Sequence, residues 1–330
     1  MNDLYQKEAS EKFYEERYAQ KQSFLKQEYM SEWGDDKKNR IYELIKSLPL
    51  PETGDVIDFG CGVGVFTEII RQALPKCNIY GSDFSHLAIN KAKARYKNCT
   101  FIHSDDNRLN SMKFDFLFTH HVLEHVYDIQ RVTAEMMQLL KDNSSMLHVL
   151  PCGNEGSLEY NICSLRKNGI IREKEDAFFF EDEGHVRRLK TRQLSEIFAK
   201  YGFTLTKEYY SEQKYGAIKW ITESNPFFIM KMLNPIYGKD IKSKIKLLAL
   251  FTLLFSLSMA RMPLIVMNRI NQRRHDNYKL KFLYTACLPF YPVSHFIDNY
   301  LRNKAIDEWK KHNREPNGSE MYLFYDRRAE

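Results

Sequence analysis

One stretch, residues 55–70, constrains the fold most, because a strand, a glycine turn and a helix follow one another within it. Val56, Ile57 and Phe59 form a short apolar run typical of a strand buried on both faces, and the apolar residues after the turn recur at helical spacing. The turn contains three glycines, Gly60, Gly62 and Gly64. Glycines at such a junction let the backbone adopt positive φ and approach a ligand closely, while the N–H groups of the helix start face it.

The spacing of the glycines distinguishes two classes of nucleotide site. The dinucleotide fingerprint is G-x-G-x-x-G, whereas Gly60, Gly62 and Gly64 alternate. A second apolar run ends at Asp83, where nucleotide-binding folds place a carboxylate for the ribose hydroxyls. Together with Asp58, this pattern resembles the cofactor site of the class I S-adenosylmethionine-dependent methyltransferases.

Strand and helix alternate along most of the chain, which is typical of a parallel sheet with helices on both faces. The resemblance implies a doubly wound, Rossmann-like α/β fold with a seven-stranded, mostly parallel sheet. The sequence departs from the family in a helical insertion that is predicted before the last strand. The predicted strands lie near 55–60, 78–83, 100–104, 114–119, 145–151, 204–210 and 321–325. The predicted helices lie near 65–74, 85–96, 128–141 and 191–202. The predicted domains are 1–211 for the methyltransferase with an N-terminal helical lid, 212–316 for the insertion and 317–330 for the final strand.

Ligands of such sheets bind at the carboxyl ends of the strands. The resemblance implies that S-adenosylmethionine is the cofactor. It also implies that an acidic residue after the third strand, Asp105 rather than Asp106, recognises the adenine. The alternative is that these two residues simply form a surface turn, in which Asp is common. The residues assigned to the cofactor are Asp58, Gly60, Cys61, Gly62, Gly64, Asp83, Phe84, Asp105, Asp106, Thr119 and His120. The N-terminal segment, residues 4–30, is predicted to be helical, and its Tyr14 and Tyr18 either cover the cofactor cleft or pack the helix on the domain.

The fourth strand end supplies the candidate catalytic groups. Residues 114–128 resemble the equivalent segment of small-molecule and quinone methyltransferases, and the Pro-Pro loop of the family's nucleobase and glutamine methyltransferases is absent. An oxygen acceptor is therefore expected, for which a base that titrates near neutral pH is useful. The candidates are His120, His121, Glu124 and, in a later segment, His185. If residues 122–126 form a helical turn, His121 and His125 share one face; zinc is a weaker alternative without a third ligand, and no metal is predicted.

The segment around His185 also resembles this subfamily, in which a histidine borders the acceptor pocket. Arg187 and Arg188 follow it directly. They either meet an acidic group of the acceptor or are solvated or salt-bridged side chains.

The insertion carries an unusual charge and apolar pattern. Ten basic and two acidic residues lie between Tyr237 and Lys281, in a chain whose net charge is +6. This local excess argues against a broad nucleic-acid surface and for one anionic partner. The charge-free stretch between Lys246 and Arg261 has fourteen residues, fewer than a spanning helix needs. It is expected to be buried, to form a homodimer, or to lie peripherally on an anionic membrane; a membrane span is the least expected.

The six cysteines show no C-x-x-C pairing and the first residues show no secretion signal, so a cytoplasmic location is expected, either free or peripheral at the inner face of the membrane. The predicted function is O-methylation of a small or lipid-linked acceptor such as a sugar of a surface polysaccharide. Two alternatives remain, a polyprenyl-quinone methyltransferase and a binding or scaffold protein that retains the fold without catalysis.

Overall fold

Strand and helix alternate as the sequence predicts. A computed structural model describes residues 2–20, 29–30, 33–182, 184–271 and 277–327, with side chains from residue 11 onward. The strands are β1 Asp55–Phe59, β2 Asn78–Asp83, β3 Thr100–His103, β4 Phe114–His120, β5 Leu140–Pro151, β6 Ile170–Ile171, β7 Ala177–Phe178, β8 Thr204–Ser211 and β9 Glu320–Arg327. The helices are α1 Asn2–Ala19, α2 Asp35–Ser47, α3 Val65–Ala73, α4 His86–Arg95, α5 Ile129–Gln138, α6 Leu158–Ser164, α7 Thr191–Ala199, α8 Tyr215–Glu223, α9 Pro226–Met232, α10 Ile241–Ile270, α11 Tyr278–Cys287 and α12 Tyr291–His312.

The main sheet has seven strands in the order β3-β2-β1-β4-β5-β9-β8. Strand β1 pairs in parallel with β2 on one side and with β4 on the other. The strand order therefore reverses between β1 and β4, and ligands of doubly wound sheets bind outside the carboxyl ends of the strands at such a point. The predicted Rossmann-like sheet is confirmed, including the return of the chain's last strand.

One predicted helix boundary is wrong. The helix expected at 128–141 ends at Gln138, because Leu140 already pairs with Phe114 across the sheet and β5 begins there. The N-terminal helix ends at Ala19. Residues 21–28 of the segment that was predicted to be helical lie outside the described part of the chain.

The chain forms two compact units. The first comprises residues 1–150, 192–208 and 322–330, and the second comprises residues 151–191 and 209–321. This division differs from the predicted domain boundaries, because the segment 151–191 makes its contacts with the insertion: Arg166, for example, donates to the main-chain carbonyls of Lys231 and Met232, at 3.1 Å each.

Each unit has its own core. In the first unit the central strands contribute side chains with no solvent exposure: Val56, Ile57, Phe116, Leu117, Phe118, Met146 and Leu147. In the second unit one apolar cluster joins α6 to the helices of the insertion: Ile162, Ile221, Ile229, Met232, Leu233, Leu247 and Leu254. Burial of such side chains stabilises each unit by roughly 1.5–3 kcal/mol per large residue.

Candidate functional site

The glycine turn adopts the positive φ angles that favour glycine. Gly60, Gly62 and Gly64 all have positive φ, of 77°, 53° and 83°. A Cβ on Gly62 would lie 2.9 Å from the hydroxyl of Tyr18, so that position has no room for a side chain. Helix α3 starts directly after Gly64. The predicted strand, turn and helix are confirmed.

Asp83 ties the glycine turn to the next helix. Its Oδ2 accepts a hydrogen bond from the Gly62 N–H at 2.8 Å, and its Oδ1 accepts one from the Ser85 N–H at 2.9 Å. Burial raises the pKa of Asp83 to about 6, although these two N–H groups act in the opposite direction. The carboxylate at the end of β2 thus lies beside the turn, as the ribose assignment requires.

Asp58 is a second buried carboxyl in the same place. It accepts a hydrogen bond from the Thr67 hydroxyl at 2.6 Å. Burial raises its pKa to about 7, and the negative charge of Asp83 acts in the same direction. A carboxylate held in this way gains from a cationic ligand, because the ligand's charge offsets the cost of desolvation.

A narrow cavity of about 20 Å³ opens at the glycine turn. This volume is far below the range for small-molecule sites, about 300–1,000 Å³. Five predicted cofactor residues line it: Asp58, Gly60, Cys61, Gly62 and His120. Four residues that were not predicted complete the lining: Met30, Trp33, Val65 and Phe66. These four were missed because their pattern is that of ordinary helix or loop packing.

His120 lines one side of this cavity. Its ring centroid lies 4.0 Å from that of Phe66 and 4.6 Å from that of Trp33, which it meets edge-on. Only 4% of the residue is exposed. These contacts fix the imidazole against aromatic rings, which supports its assignment to cofactor contact more than to proton transfer.

His121 and Glu124 form a pair next to the cavity. His121 Nδ1 lies 3.0 Å from Glu124 Oε1, and its Nε2 lies 3.3 Å from the ammonium of Lys37. An ammonium has only hydrogens to donate, so Nε2 is the acceptor and Nδ1 carries the ring proton. Glu124, which is 1% exposed, therefore holds His121 in one tautomer.

The expected helical turn after β4 is a 3₁₀ turn, at Leu123–His125. His121 precedes this turn and has a left-handed backbone conformation, with φ of 54°. The condition for a helical face shared by His121 and His125 is therefore not met, and His121 pairs with Glu124 instead. His125 Nε2 lies 4.0 Å from Glu124 Oε1, and its Nδ1 lies 2.7 Å from the Tyr14 hydroxyl.

Tyr14 and Tyr18 combine the two roles proposed for them. Both are buried in a cluster with Val63, Val65 and Ala88. They thereby pack α1 on the first unit and, through the Tyr18 hydroxyl above Gly62, cover the glycine turn.

The remaining predicted cofactor residues have less specific surroundings. Asp105 is exposed, and Asp106 forms an exposed ion pair with Arg108 at 2.6 Å, which lowers its pKa to about 2. Phe84 packs against Tyr14 at a centroid distance of 5.5 Å. The hydroxyl of Thr119 lies 2.7 Å from Nδ1 of the buried His148, so its side chain is engaged within the sheet. The assignments to adenine and cofactor remain predictions.

His185 and the two arginines belong to the second unit. His185 Nδ1 lies 3.4 Å from Glu181 Oε2. Arg187 pairs with Glu175 at 3.0 Å, and Arg188 pairs with Glu181 at 2.5 Å and with Glu159 at 3.5 Å. The geometry favours the salt-bridged interpretation of the arginines, and the assignment of His185 to the acceptor remains a prediction.

Similarity to known proteins agrees with this geometry. The family model described as methyltransferase domain matches residues 27–208. Trans-aconitate 2-methyltransferase of Enterobacter sp. (strain 638) is 25% identical over 121 residues, 36% of this chain and 48% of that protein. The enzyme of the same name from Variovorax paradoxus (strain S110) is 34% identical over 71 residues, 22% of this chain and 27% of that protein. The chain thus spans about half the length, or less, of these curated relatives.

Solved structures with a similar fold include phosphoethanolamine N-methyltransferase 2 from Haemonchus contortus in complex with S-adenosyl-L-methionine. It has a TM-score of 0.43 and 13% identity, over 93% of this chain and 55% of that one. The YcgJ protein from Bacillus subtilis has a TM-score of 0.43 and 13% identity, over 88% of this chain and all of that one. Because the family model covers more than half of the 330 residues, this protein belongs to the methyltransferase domain family of class I, S-adenosylmethionine-dependent methyltransferases.

Proposed function

We propose that this protein moves a methyl group from S-adenosylmethionine to an oxygen of a small or lipid-linked acceptor, and that a sugar of a surface-polysaccharide precursor is the leading candidate. The observation that carries the proposal is the His121–Glu124 pair next to the glycine-turn cavity. A hydroxyl acceptor must lose a proton during transfer, and an oriented imidazole is suited to take it.

The residues at the cavity fit the cofactor. Gly60 and Gly62 of the glycine turn line the cavity, and the carboxylate of Asp83 lies beside the turn, where the ribose is expected. Asp58 lines the cavity as a buried carboxyl with a raised pKa, which favours a ligand that carries positive charge. When bound, S-adenosylmethionine supplies an electrophilic methyl group on a positively charged sulfur that is already an excellent leaving group. The protein's task is therefore mainly positioning and exclusion of water.

The chain's own groups then act on the acceptor. An acceptor hydroxyl that replaces the Lys37 ammonium at His121 Nε2 meets a lone pair, since the ring proton is held at Nδ1 by Glu124. Nε2 would take the proton that the acceptor hydroxyl loses on transfer, and Glu124 would stabilise the resulting imidazolium.

The backbone of His121 supports a functional role. Its φ is 54°, in the left-handed region that residues other than glycine seldom adopt. Such conformations cost about 1–3 kcal/mol and are concentrated at functional sites. Here the conformation accompanies the pairing of the imidazole with Glu124.

The test is replacement of His121 by glutamine. We expect kcat to fall by about a hundredfold or more, the typical contribution of a general base, while the affinity for S-adenosylmethionine stays unchanged. The rise of kcat/KM with pH near neutrality should disappear. His295→Gln changes an exposed histidine of α12 and serves as the matched control. Transfer of labelled methyl groups to sugar nucleotides and lipid-linked sugars gives the readout, and an unchanged rate and pH profile would reject His121 as the base.

A carboxylate acceptor is a second candidate, because the curated relatives above are named for trans-aconitate. A carboxylate is already ionised at pH 7 and needs no base. If trans-aconitate is the acceptor, His121→Gln should leave kcat nearly unchanged. A prenylated phenol as the only accepted substrate would instead favour the quinone alternative, and calorimetry without any cofactor binding would favour a non-catalytic binding protein.

A further inference from the structure

Helix α10 presents an apolar side to solvent. Over residues 241–261 its buried side chains follow one stripe: Ser243, Leu247, Leu254, Ser258 and Arg261. At 100° per residue, a second stripe lies on the opposite side of the helix. That stripe consists of Ile241, Ile245, Leu248, Thr252 and Met259, all of them exposed. An exposed helix side is normally polar.

The following elements continue this pattern. None of the ten residues of α11 is buried, and Tyr278 and Phe282 are 79% and 76% exposed. Helix α11 and the 3₁₀ turn Leu288–Phe290 both contact α10. Other exposed apolar side chains follow them: Leu283, Leu288, Phe290, Tyr291, Val293 and Phe296. Exposed apolar side chains on elements that contact one another are typical of an interaction site. We call residues 241–271 and 277–296 with these exposed side chains the apolar helical surface.

Polar contacts fix the inner side of α10. The guanidinium of Arg261 is fully buried and pairs with Asp298 of α12 at 2.5 Å and with Glu223 of α8 at 3.1 Å. The Ser258 hydroxyl donates to the Thr222 carbonyl, and that of Ser294 donates to the Ala260 carbonyl. By length and composition the thirty-residue α10 is able to cross a membrane. The sequence analysis counted only the fourteen charge-free residues and did not anticipate a helix of this length. Its attachment to α8 and α12 leaves only the outer side available.

The positive charge around the apolar helical surface favours an anionic partner. Lys242 and Lys246 lie on one flank of the exposed stripe of α10 and Lys244 lies on the other, while Lys279 and Lys281 lie on α11. All five are exposed. Long lysine side chains beside an apolar stripe reach the headgroups of a bilayer while their stems stay on apolar surface. Arg273, Arg274 and Asp276 of the basic segment lie outside the described residues.

A second copy of the chain fits this surface less well. Most homodimers are two-fold symmetric, so the same patch meets itself. That arrangement would bring the lysines of the two copies together, and like charges brought together are destabilising. Anionic headgroups neutralise the same lysines, with a gain of about fivefold in affinity per residue near the surface.

We propose that the apolar helical surface docks the protein on a membrane that carries anionic lipids, with α10 and α11 lying in the interface. The proposal concerns a surface of the second unit and does not depend on the acceptor or on His121. Docking of this surface would place the enzyme on the same membrane as a lipid-linked acceptor.

The test is flotation of the full chain with vesicles of phosphatidylcholine alone or with about one-third phosphatidylglycerol. Binding is expected only to the anionic vesicles and should weaken steeply with salt. Lys279→Glu combined with Lys281→Glu should lower the partition coefficient roughly thirtyfold or more, from about fivefold per lost lysine. Lys97→Glu combined with Lys200→Glu makes the same change in net charge at exposed lysines of the first unit and should change binding far less.

The apolar contribution is tested separately with Phe282→Ser. We expect a loss of at least about fivefold in binding to anionic vesicles, since a buried aromatic side chain is withdrawn from the interface. The variant should fold normally because the side chain is largely exposed.

Four results would overturn the proposal: no flotation at low salt, equal binding to neutral vesicles, equal effects of the two lysine pairs, or no loss of binding in Phe282→Ser. A dimer in sedimentation analysis that Phe282→Ser dissociates, without vesicle binding, would identify a second copy as the partner instead. Flotation needs neither cofactor nor acceptor. Failure of this proposal is therefore distinguishable from failure of the proposed chemistry.

Discussion

Replacement of Asp58 by asparagine is expected to change stability and cofactor binding in opposite directions. Burial raises the pKa of Asp58 from 3.8 to about 7. Because the folded protein then holds the proton more tightly than the unfolded chain, the contribution to stability is most favourable below about pH 4 and is lost as pH rises to about 7. A pKa difference of about three corresponds to about 4 kcal/mol of folding free energy, and this is the cost of the charged carboxylate at pH 8.

Asparagine has nearly the same shape and can still accept the hydrogen bond from Thr67. We expect Asp58→Asn to be more stable than the wild type at pH 8 by up to about 4 kcal/mol, and most of that advantage to disappear at pH 4.5. Urea unfolding at pH 4.5, 6 and 8, followed by circular dichroism, measures the difference. Asp106→Asn is the control, since Asp106 is ion-paired to Arg108 and its pKa of about 2 keeps it charged over this range.

Binding should respond in the other direction. The carboxylate of Asp58 lines the cavity, so its replacement by a neutral amide removes a favourable charge opposite a cationic cofactor. Calorimetry at pH 8 should show a loss of S-adenosylmethionine affinity of about tenfold, equivalent to about 1.4 kcal/mol. A stability difference that is the same at pH 4.5 and pH 8 would refute the electrostatic explanation, and unchanged affinity would remove Asp58 from the cofactor site.

Three further predictions concern other buried polar groups. Asp83→Ala should weaken S-adenosylmethionine binding more than tenfold if the carboxylate holds the ribose hydroxyls, and calorimetry with unchanged affinity would contradict that assignment. Burial lowers the pKa of His148 from 6.5 to about 3, so the unfolded chain takes up the proton first on acidification and stability falls below about pH 6.5. His148→Gln should therefore reduce the loss of unfolding free energy between pH 6.5 and 4.5 by about 2 kcal/mol, and an unaltered slope would speak against it. Arg188→Met leaves the buried Glu159 and Glu181 without their shared cation and should destabilise the protein by about 3–5 kcal/mol. The control Arg192→Met removes an exposed ion pair and should cost less than about 0.5 kcal/mol. Equal melting temperatures of the two variants would contradict this prediction.

Several site features follow from local sequence patterns. The glycine turn, Asp58 and Asp83 could be predicted because each is next to a buried strand, and the carboxyl ends of neighbouring parallel strands converge. The structure brings Asp83 to the turn through its bond with the Gly62 N–H, twenty-one residues away along the chain. The return of the chain's final strand to the sheet also agrees with the prediction.

Other features of the site depend on contacts between distant segments. Trp33 reaches His120, Tyr14 reaches His125, and Lys37 reaches His121. The sequence around each partner is compatible with ordinary packing, so no local pattern indicates these contacts. The pairing of His121 with Glu124 likewise accompanies a left-handed backbone at His121, which residue spacing alone does not indicate.

By itself the sequence determined the class of fold, the cofactor turn and the presence of a basic, apolar segment, because these depend on the order of apolar, glycine and charged residues along the chain. Only the tertiary structure decided which imidazole is oriented by a carboxylate and which side of α10 remains exposed. Both outcomes depend on atoms brought together from separate elements. A hydrogen bond requires two groups within about 3 Å of each other, and burial requires a second surface against which to pack.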